Sequence, residues 1–304
     1  MTPLRIGTRG SPLALWQAHH VTALLRAAVP DLPIELVEIQ TVGDQVRDVP
    51  LVQLGGEGAF TKAIQQALLE MRVDVAVHSL KDLPTFVVEG LILAAVPPRG
   101  PTGDALVSKK YRSFAELPQG AAVATSSLRR KAQLLHRRPD LTLSDIRGNV
   151  ETRLRKLVEN NLDATILAEA GLVRLGLAEQ ITEILDPAWM FPAVGQGALA
   201  LECRSDDARI RAILDRLNEP ATKSAVLAER ALLRGLGGGC QVPIGARSQT
   251  DADMLTLCGV VLAVDGSKRI EAQSSGPMQH AEALGLAVAN ELRQRGAEEL
   301  LKEG

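Results

Sequence analysis

Short apolar runs alternate with longer stretches whose apolar positions recur every three or four residues, the rhythm of strands and helices taking turns. Leu4–Thr8 reads as a strand. Ser11-Pro12 then supplies an N-cap and a proline at the first helical position. The helix is expected to reach about Ala28, with Leu13, Trp16, His20, Leu24 and Ala27 as its apolar stripe. Leu36–Thr41, Val73–His78 and Leu91–Val96 read as strands and Phe60–Leu69 as a helix. The nearly unbroken apolar character of Val73–His78 suits the middle of a sheet. Pro97-Pro98-Arg99-Gly100-Pro101 then breaks the pattern.

The same grammar resumes beyond it. Ala105–Ser108, Ala121–Ala124, Leu141–Asp145, Ala164–Ala168 and Ile181–Leu185 read as strands, and Ser127–Leu135, Val150–Glu159 and Gly171–Leu175 as helices. Phe191–Gly197 reads as a crossing strand bounded by glycines that returns the chain to its first part. After Asn218-Glu219-Pro220, Thr222–Leu236 is a strong helix. Leu255–Val264 and Arg269–Gln273 flank the hairpin signal Asp265-Gly266, and Met278–Arg295 is a last amphipathic helix. The expected fold class is α/β: two lobes with a cleft between them, plus a small C-terminal α+β domain. The expected boundaries are 1-98 with a returning segment at about 193-217, then 99-192, then 218-304.

Composition narrows the function. In 304 residues, 34 Lys and Arg face 36 Asp and Glu, a net charge of −2, and aromatic residues are only 2%. A general nucleic-acid binder would be basic, and one that stacks bases would need aromatics, so nucleic acid is not an expected partner. Positive charge must therefore be local. Cys203, Cys240 and Cys258 lie far apart and fit neither a disulfide scaffold nor a metal pattern. The start enters a strand without an apolar leader, and the longest apolar run, Leu91 to Pro98, is too short to span a bilayer. A cytoplasmic protein without membrane partners or metal is expected.

The local charge sits where strands run into helices, the ligand end of open α/β sheets. Arg9 and Ser11 mark one such junction, and Lys81 and Asp82 another. Thr125, Ser126, Ser127, Arg129 and Arg130 mark a third, Arg147 and Arg153 a fourth. Hydroxyls and free N–H groups at a helix start receive anions, and guanidinium groups add forked donors. Each junction has a plainer reading: a turn aspartate paired with Lys81, an ordinary N-cap, or solvated arginines. Asp82 is the candidate for chemistry, as a general acid or as the counter-charge of a developing cation. His78 reads equally as a core histidine or a catalytic one. Gly55-Gly56-Glu57-Gly58 is no phosphate loop, since it lacks the Gly-Lys-Ser/Thr ending. Cys240, after three glycines, is either incidental or an attachment point that reaches a cleft.

Six segments, in order, resemble the porphobilinogen deaminase (hydroxymethylbilane synthase) family over essentially the whole chain. They are Arg5–Ala14, His78–Pro84, Thr125–Arg130, Arg147–Val150, Ala193–Gly197 and Gly238–Gly245. The resemblance implies two lobes like those of type II periplasmic binding proteins and a third domain bearing a cofactor loop. It implies a transferase that condenses four porphobilinogen molecules head to tail, releasing ammonia, into linear hydroxymethylbilane for haem and tetrapyrrole biosynthesis. A dipyrromethane cofactor would be held by a thioether to Cys240. Asp82, beside Lys81, would assist loss of the aminomethyl group as ammonia. Arg9, Ser11, Lys81, Thr125, Ser127, Arg129, Arg130, Arg147, Arg153 and Gln196 would bind the acidic side chains of cofactor and substrate, with Ser79 and Arg174 second in rank. A monomer is expected. The chain departs from the family pattern at Gln53, Glu57 and Gln65, where a lysine, a lysine and a glutamate are usual. The alternative is a non-catalytic two-lobed binding protein for a small polycarboxylate, which leaves Cys240 and the third domain without a task.

Overall fold

Leu4–Thr8 forms β1, and Ser11 caps the helix α1 (Pro12–Ala28) by accepting a hydrogen bond from the Ala14 N–H at 3.4 Å. This is a computed structural model describing residues 3–41, 58, 61–238 and 242–302. The buried face of α1 is Ala14, Gln17, Ala18, Val21, Thr22 and Leu25, one position round from the expected stripe. Ala27 is exposed, while Trp16 and His20 stack on each other at 4.9 Å on the flank. Hydrophobicity favours the large residues, but a helix packed closely on a sheet buries its small ones.

β2 spans Ile34–Glu38, α2 Lys62–Leu69, β3 Val75–Ser79 and β4 Leu91–Ala95. β2 begins two residues before the expected Leu36 and ends before Thr41. β1 runs parallel to both β2 and β3. Then come β5 (Asp104–Val107), β6 (Ala122–Ala124), α3 (Leu128–Arg137), β7 (Thr142–Ser144), α4 (Val150–Glu159), β8 (Ala164–Ala168), α5 (Glu169–Arg174) and β9 (Glu183–Ile184). These strands form a second sheet in the order β7-β6-β8-β5-β9. β6 is parallel to β7 and β8, and β5 is antiparallel to β8 and β9.

Phe191–Gly197 is not a strand. Gly195 and Gly197 take positive φ of 71° and 83°, and the segment turns. The strand is the next six residues, β10 (Leu199–Arg204), which enters the first sheet antiparallel between β3 and β4 and gives the order β2-β1-β3-β10-β4. Each five-stranded sheet thus has three parallel-linked strands, then an antiparallel strand from a crossing segment, then a fifth strand antiparallel to that one, a repeat of topology with no repeat of sequence. Leu4, Ile6, Val21, Leu25, Val75, Val77, Leu199 and Leu201 fill the first core.

The C-terminal region adds α6 (Ala208–Asp215), α7 (Pro220–Gly235), β11 (Ile244–Asp251), β12 (Met254–Leu262), β13 (Arg269–Pro277), α8 (Ala281–Gln294) and α9 (Ala297–Lys302). The hairpin turns at Gly266, whose φ is 76°. Neither α6 nor β11 was legible. β11 shows a polar outer half that reads as loop, and its Gly245 lies where a Cβ would meet Phe191 at 2.7 Å. The three antiparallel strands carry their own core, including Leu232, Leu257, Val261, Val288 and Leu292.

Contacts divide the chain into two units, Met1–Gly100 with Ala198–Lys223, and Pro101–Gly197 with Ser224–Gly304. The segment expected as a third domain, 218-304, is for the most part joined to the second sheet. A cluster of Ala132, Phe191, Cys258, Val260 and Leu262 knits them, and the Phe191 ring lies under the guanidinium groups of Arg247 and Arg269 at 5.2 and 5.1 Å. Among the described residues no helix is long and apolar enough to cross a membrane.

Candidate anion-binding and catalytic residues

In the first unit, parallel pairing sets the carboxyl ends of β1 and β3 side by side, so Arg9, Ser11, Lys81 and Asp82 share one sheet edge. β3 passes into a single 3₁₀ turn, Leu80–Asp82. The buried Leu80 anchors that turn, its N–H donating to the Ala198 carbonyl at 3.0 Å, and the Leu83 N–H donates to the Leu80 carbonyl at 3.1 Å. Asp82 is left half-buried. The Gln17 side-chain amide donates to the Ser79 hydroxyl at 2.7 Å, tying α1 to the same strand end. Ser79 is thereby engaged in structure.

His78 is buried, its Nε2 3.1 Å from Oε2 of Glu202 on the neighbouring β10. Gln65 of α2 donates its side-chain amide to the same carboxylate at 3.0 and 3.3 Å. This gives the departure at Gln65 a physical sense. A glutamate there would set a second carboxylate against Glu202, whereas the amide is a donor to it.

In the second unit, the ends of β6 and β7 converge. The Thr125 N–H donates to the Ser144 carbonyl at 2.8 Å, the Ser126 hydroxyl donates to the Ile146 carbonyl at 2.8 Å, and the Ile146 N–H donates back to that hydroxyl at 3.0 Å. Ser127 caps α3, accepting from the Arg130 N–H at 3.4 Å. Asn149 caps α4, accepting from the Thr152 N–H at 2.8 Å, while Gly148 just before it takes a φ of 112°. Arg153 donates its Nε to the Gly148 carbonyl at 2.8 Å, and Arg147 lies half-buried at the same helix start. Asp145, just after β7, pairs with Lys131 at 2.8 Å. Arg174 donates to the Gly197 carbonyl at 2.6 Å, and burial pushes its guanidinium pKa down.

Arg129 and Arg130 differ from what their positions suggest. They are only 4% and 5% exposed, and both guanidinium groups close on Asp104, an acid that no local stretch of sequence links to them. Gln196 donates its amide to the Thr102 and Gly103 carbonyls at 2.7 and 3.1 Å and to the Asp104 carboxylate at 3.0 Å. The available signal was an aspartate at the first position of a buried strand, a place where a charge needs a partner.

Burial alone would raise the Asp104 pKa, but the Arg129 and Arg130 charges and their hydrogen bonds outweigh it and hold the carboxyl well below its usual range. A folded pKa below the unfolded one gives stability that is fully present above about pH 4 to 5 and is lost as pH falls toward the folded value. The urea midpoint is therefore expected to stay flat between roughly pH 7 and pH 5 and to drop below about pH 4. In Asp104→Asn the acid limb should be shallower; equal limbs in both proteins would remove Asp104 from the explanation.

Cys240, Gln53 and Glu57 lie outside the described residues. Among the described residues no group of three or more His, Cys, Asp or Glu could hold a metal ion.

Fold and site together define an α/β protein whose strand ends carry hydroxyls, helix starts and cationic side chains. Residues 4–212 match the family model of the porphobilinogen deaminase dipyromethane cofactor-binding domain, and residues 223–294 match that of the porphobilinogen deaminase C-terminal domain. The chain is 52% identical over 300 residues to the porphobilinogen deaminase of Geobacter sulfurreducens, covering 99% of this chain and 94% of that protein. To the porphobilinogen deaminase of Syntrophotalea carbinolica it is 51% identical over 298 residues, covering 98% and 95%. Among solved structures it is similar to the methionine-binding protein MetQ at 14% identity, with a TM-score of 0.46 over 74% of this chain and 94% of that one. The chain belongs to the porphobilinogen deaminase family.

Proposed function

We propose that this chain is the transferase that joins four porphobilinogen molecules head to tail, with loss of ammonia, into linear hydroxymethylbilane. The observation that carries this is family membership along nearly the whole chain, with Asp82, Lys81, Arg9 and Ser11 placed on one sheet edge. The donor chemistry suits the reactants. Porphobilinogen carries an acetate and a propionate, and the Ser127 and Asn149 helix starts with Arg147 and Arg153 nearby are arrangements that take carboxylates.

The same chemistry fits a dipyrromethane, itself two such rings. Cys240 would hold it by a thioether, and Thr125, Ser127, Arg147 and Arg153 would receive its carboxylates. When bound, the cofactor supplies the first pyrrole carbon to which substrate is added. Asp82 acts at the substrate. Its carboxyl gives a proton to the departing aminomethyl nitrogen, and as carboxylate it balances the positive charge that spreads over the pyrrole. After the new carbon–carbon bond forms, the same carboxylate takes up the α-proton, so one group serves as acid and then base. Lys81, next to it, offsets the substrate carboxylates that would otherwise repel Asp82.

The three-domain division, the periplasmic-binding-protein likeness of the two five-stranded sheets, a monomeric state and a cytoplasmic location belong to the same proposal. The likeness of the two sheets is supported by their matching strand orders, and the three-domain division by the separate family match of residues 223–294. The test is direct. Purified protein given porphobilinogen should release ammonia and hydroxymethylbilane. It should also show adducts whose masses rise by whole pyrrole units. Binding of porphobilinogen with no ammonia and no adducts would leave the non-catalytic binding protein as the answer.

A further inference from the structure

Asp104 opens β5 with its side chain fully enclosed, and five donor contacts converge on its two oxygens. Oδ2 accepts from Arg129 Nη1 at 2.6 Å. Oδ1 accepts from Arg129 Nη2 at 3.2 Å, Arg130 Nε at 2.9 Å, Arg130 Nη2 at 2.6 Å and Gln196 Nε2 at 3.0 Å. Two guanidinium charges against one carboxylate leave this buried cluster at 2 − 1 = +1. Among the described residues no second carboxylate touches either arginine. Arg129 otherwise donates to the Phe191 carbonyl and lies 4.0 Å from the Met190 sulfur, and Arg130 donates to the Ile166 carbonyl at 2.9 Å. The Arg129 Nε is buried with no hydrogen-bond partner among the described residues.

An uncompensated buried cation is costly, and an arriving anion lowers that cost. Both arginines lie in the first turn of the ten-residue α3, whose N-terminal dipole has the same sign. They are too enclosed to swing outward as paired hands on a ligand, so their charge works from a fixed place, and one acid fixes it. We propose that Asp104 is a positioning residue for the reaction. It locks Arg129 and Arg130 as a buried pair whose single excess charge draws a carboxylate of the pyrrole chain to the Thr125–Ser127 helix start, a role that rests on the deaminase function proposed above. Through Gln196 the same carboxylate also ties the turn that precedes β10 to the residues that lead into β5.

The test uses purified protein carrying Asp104→Asn or Asp104→Glu. Asparagine raises the cluster to +2 and points amide hydrogens at guanidinium donors. Glutamate keeps the charge but displaces it by one methylene. Three quantities are read: the pyrrole mass bound per chain, the urea midpoint, and kcat and KM for porphobilinogen in the loaded fraction. Asp104→Asn is expected to load incompletely. Asp104→Glu is expected to fold and load, but to turn over at least about tenfold more slowly, because small misplacements of a positioned group carry losses of that order or more. A lowered midpoint with wild-type loading, kcat and KM in the loaded fraction means a purely structural acid and overturns the proposal. Should Asp104→Asn not fold, the kcat of Asp104→Glu decides alone, and a wild-type value overturns the proposal. A wild-type protein with neither pyrrole mass nor turnover overturns the functional reading instead.

Discussion

Replacing Cys240 with serine is expected to give a protein at its bare sequence mass, without turnover, while the unaltered chain carries the extra mass of two pyrrole units. The reason is chemical. A thiolate is a far better nucleophile than a hydroxyl at neutral pH, and a thioether survives where an ether is not formed. Without the primer the first condensation has no pyrrole to extend, so the loss should be to background. The serine protein should also melt lower, because a group bound only by the folded state stabilises that state. Intact-mass measurement of both proteins, beside ammonia release from porphobilinogen, settles the matter. An active enzyme at the bare sequence mass would sink the attachment to Cys240 and the cofactor assignment with it.

Asp82→Asn should give the second-largest effect, and of a different kind. The 3₁₀ turn is held by backbone bonds of Leu80 and Leu83, none of which uses the carboxylate, so fold and loading should survive. The amide cannot give up a proton at neutral pH and cannot balance a pyrrolic cation. Removing one preorganised group of this kind costs about 2.7–4 kcal/mol, or roughly 10²–10³ in kcat. Single-turnover formation of enzyme–pyrrole adducts, followed by mass, reads the step itself. Elongation within a few-fold of the unaltered enzyme in a correctly loaded variant would remove Asp82 from the centre of the chemistry.

The local structure around the candidate site residues is legible because its parts are local. Ser11-Pro12, Ser127 and Asn149 announce helix starts through short polar side chains that accept from N–H groups three residues on. A strand of buried residues ending at Ser79 puts Lys81 and Asp82 at the carboxyl edge of the sheet by the topology of parallel strands alone. The failures are of another sort. Apolar spacing puts the α1 stripe on Leu13, Trp16, His20, Leu24 and Ala27, whereas close packing selects Ala14, Ala18 and Val21. β10 was placed a few residues early because Gly195 and Gly197 frame a turn that resembles a strand boundary. β11 and α6 were missed since half-polar segments show weak periodicity.

Local chemistry along the chain therefore determined the strand and helix grammar, the caps, the hairpin at Gly266, and the family, whose motifs are short and contiguous. Tertiary structure alone decided the fate of individual charges. Arg129 and Arg130 look like solvent-facing donors in any local window, yet the acid that claims them is 25 and 26 residues away, and Gln196 joins from a distance of 92. Likewise Glu202 finds Gln65 across 137 residues. A capping bond depends on a few neighbouring dihedrals and is written in neighbouring residues. A buried ion cluster exists only because distant strands exclude water from the same spot, and that exclusion is a property of the assembled sheet.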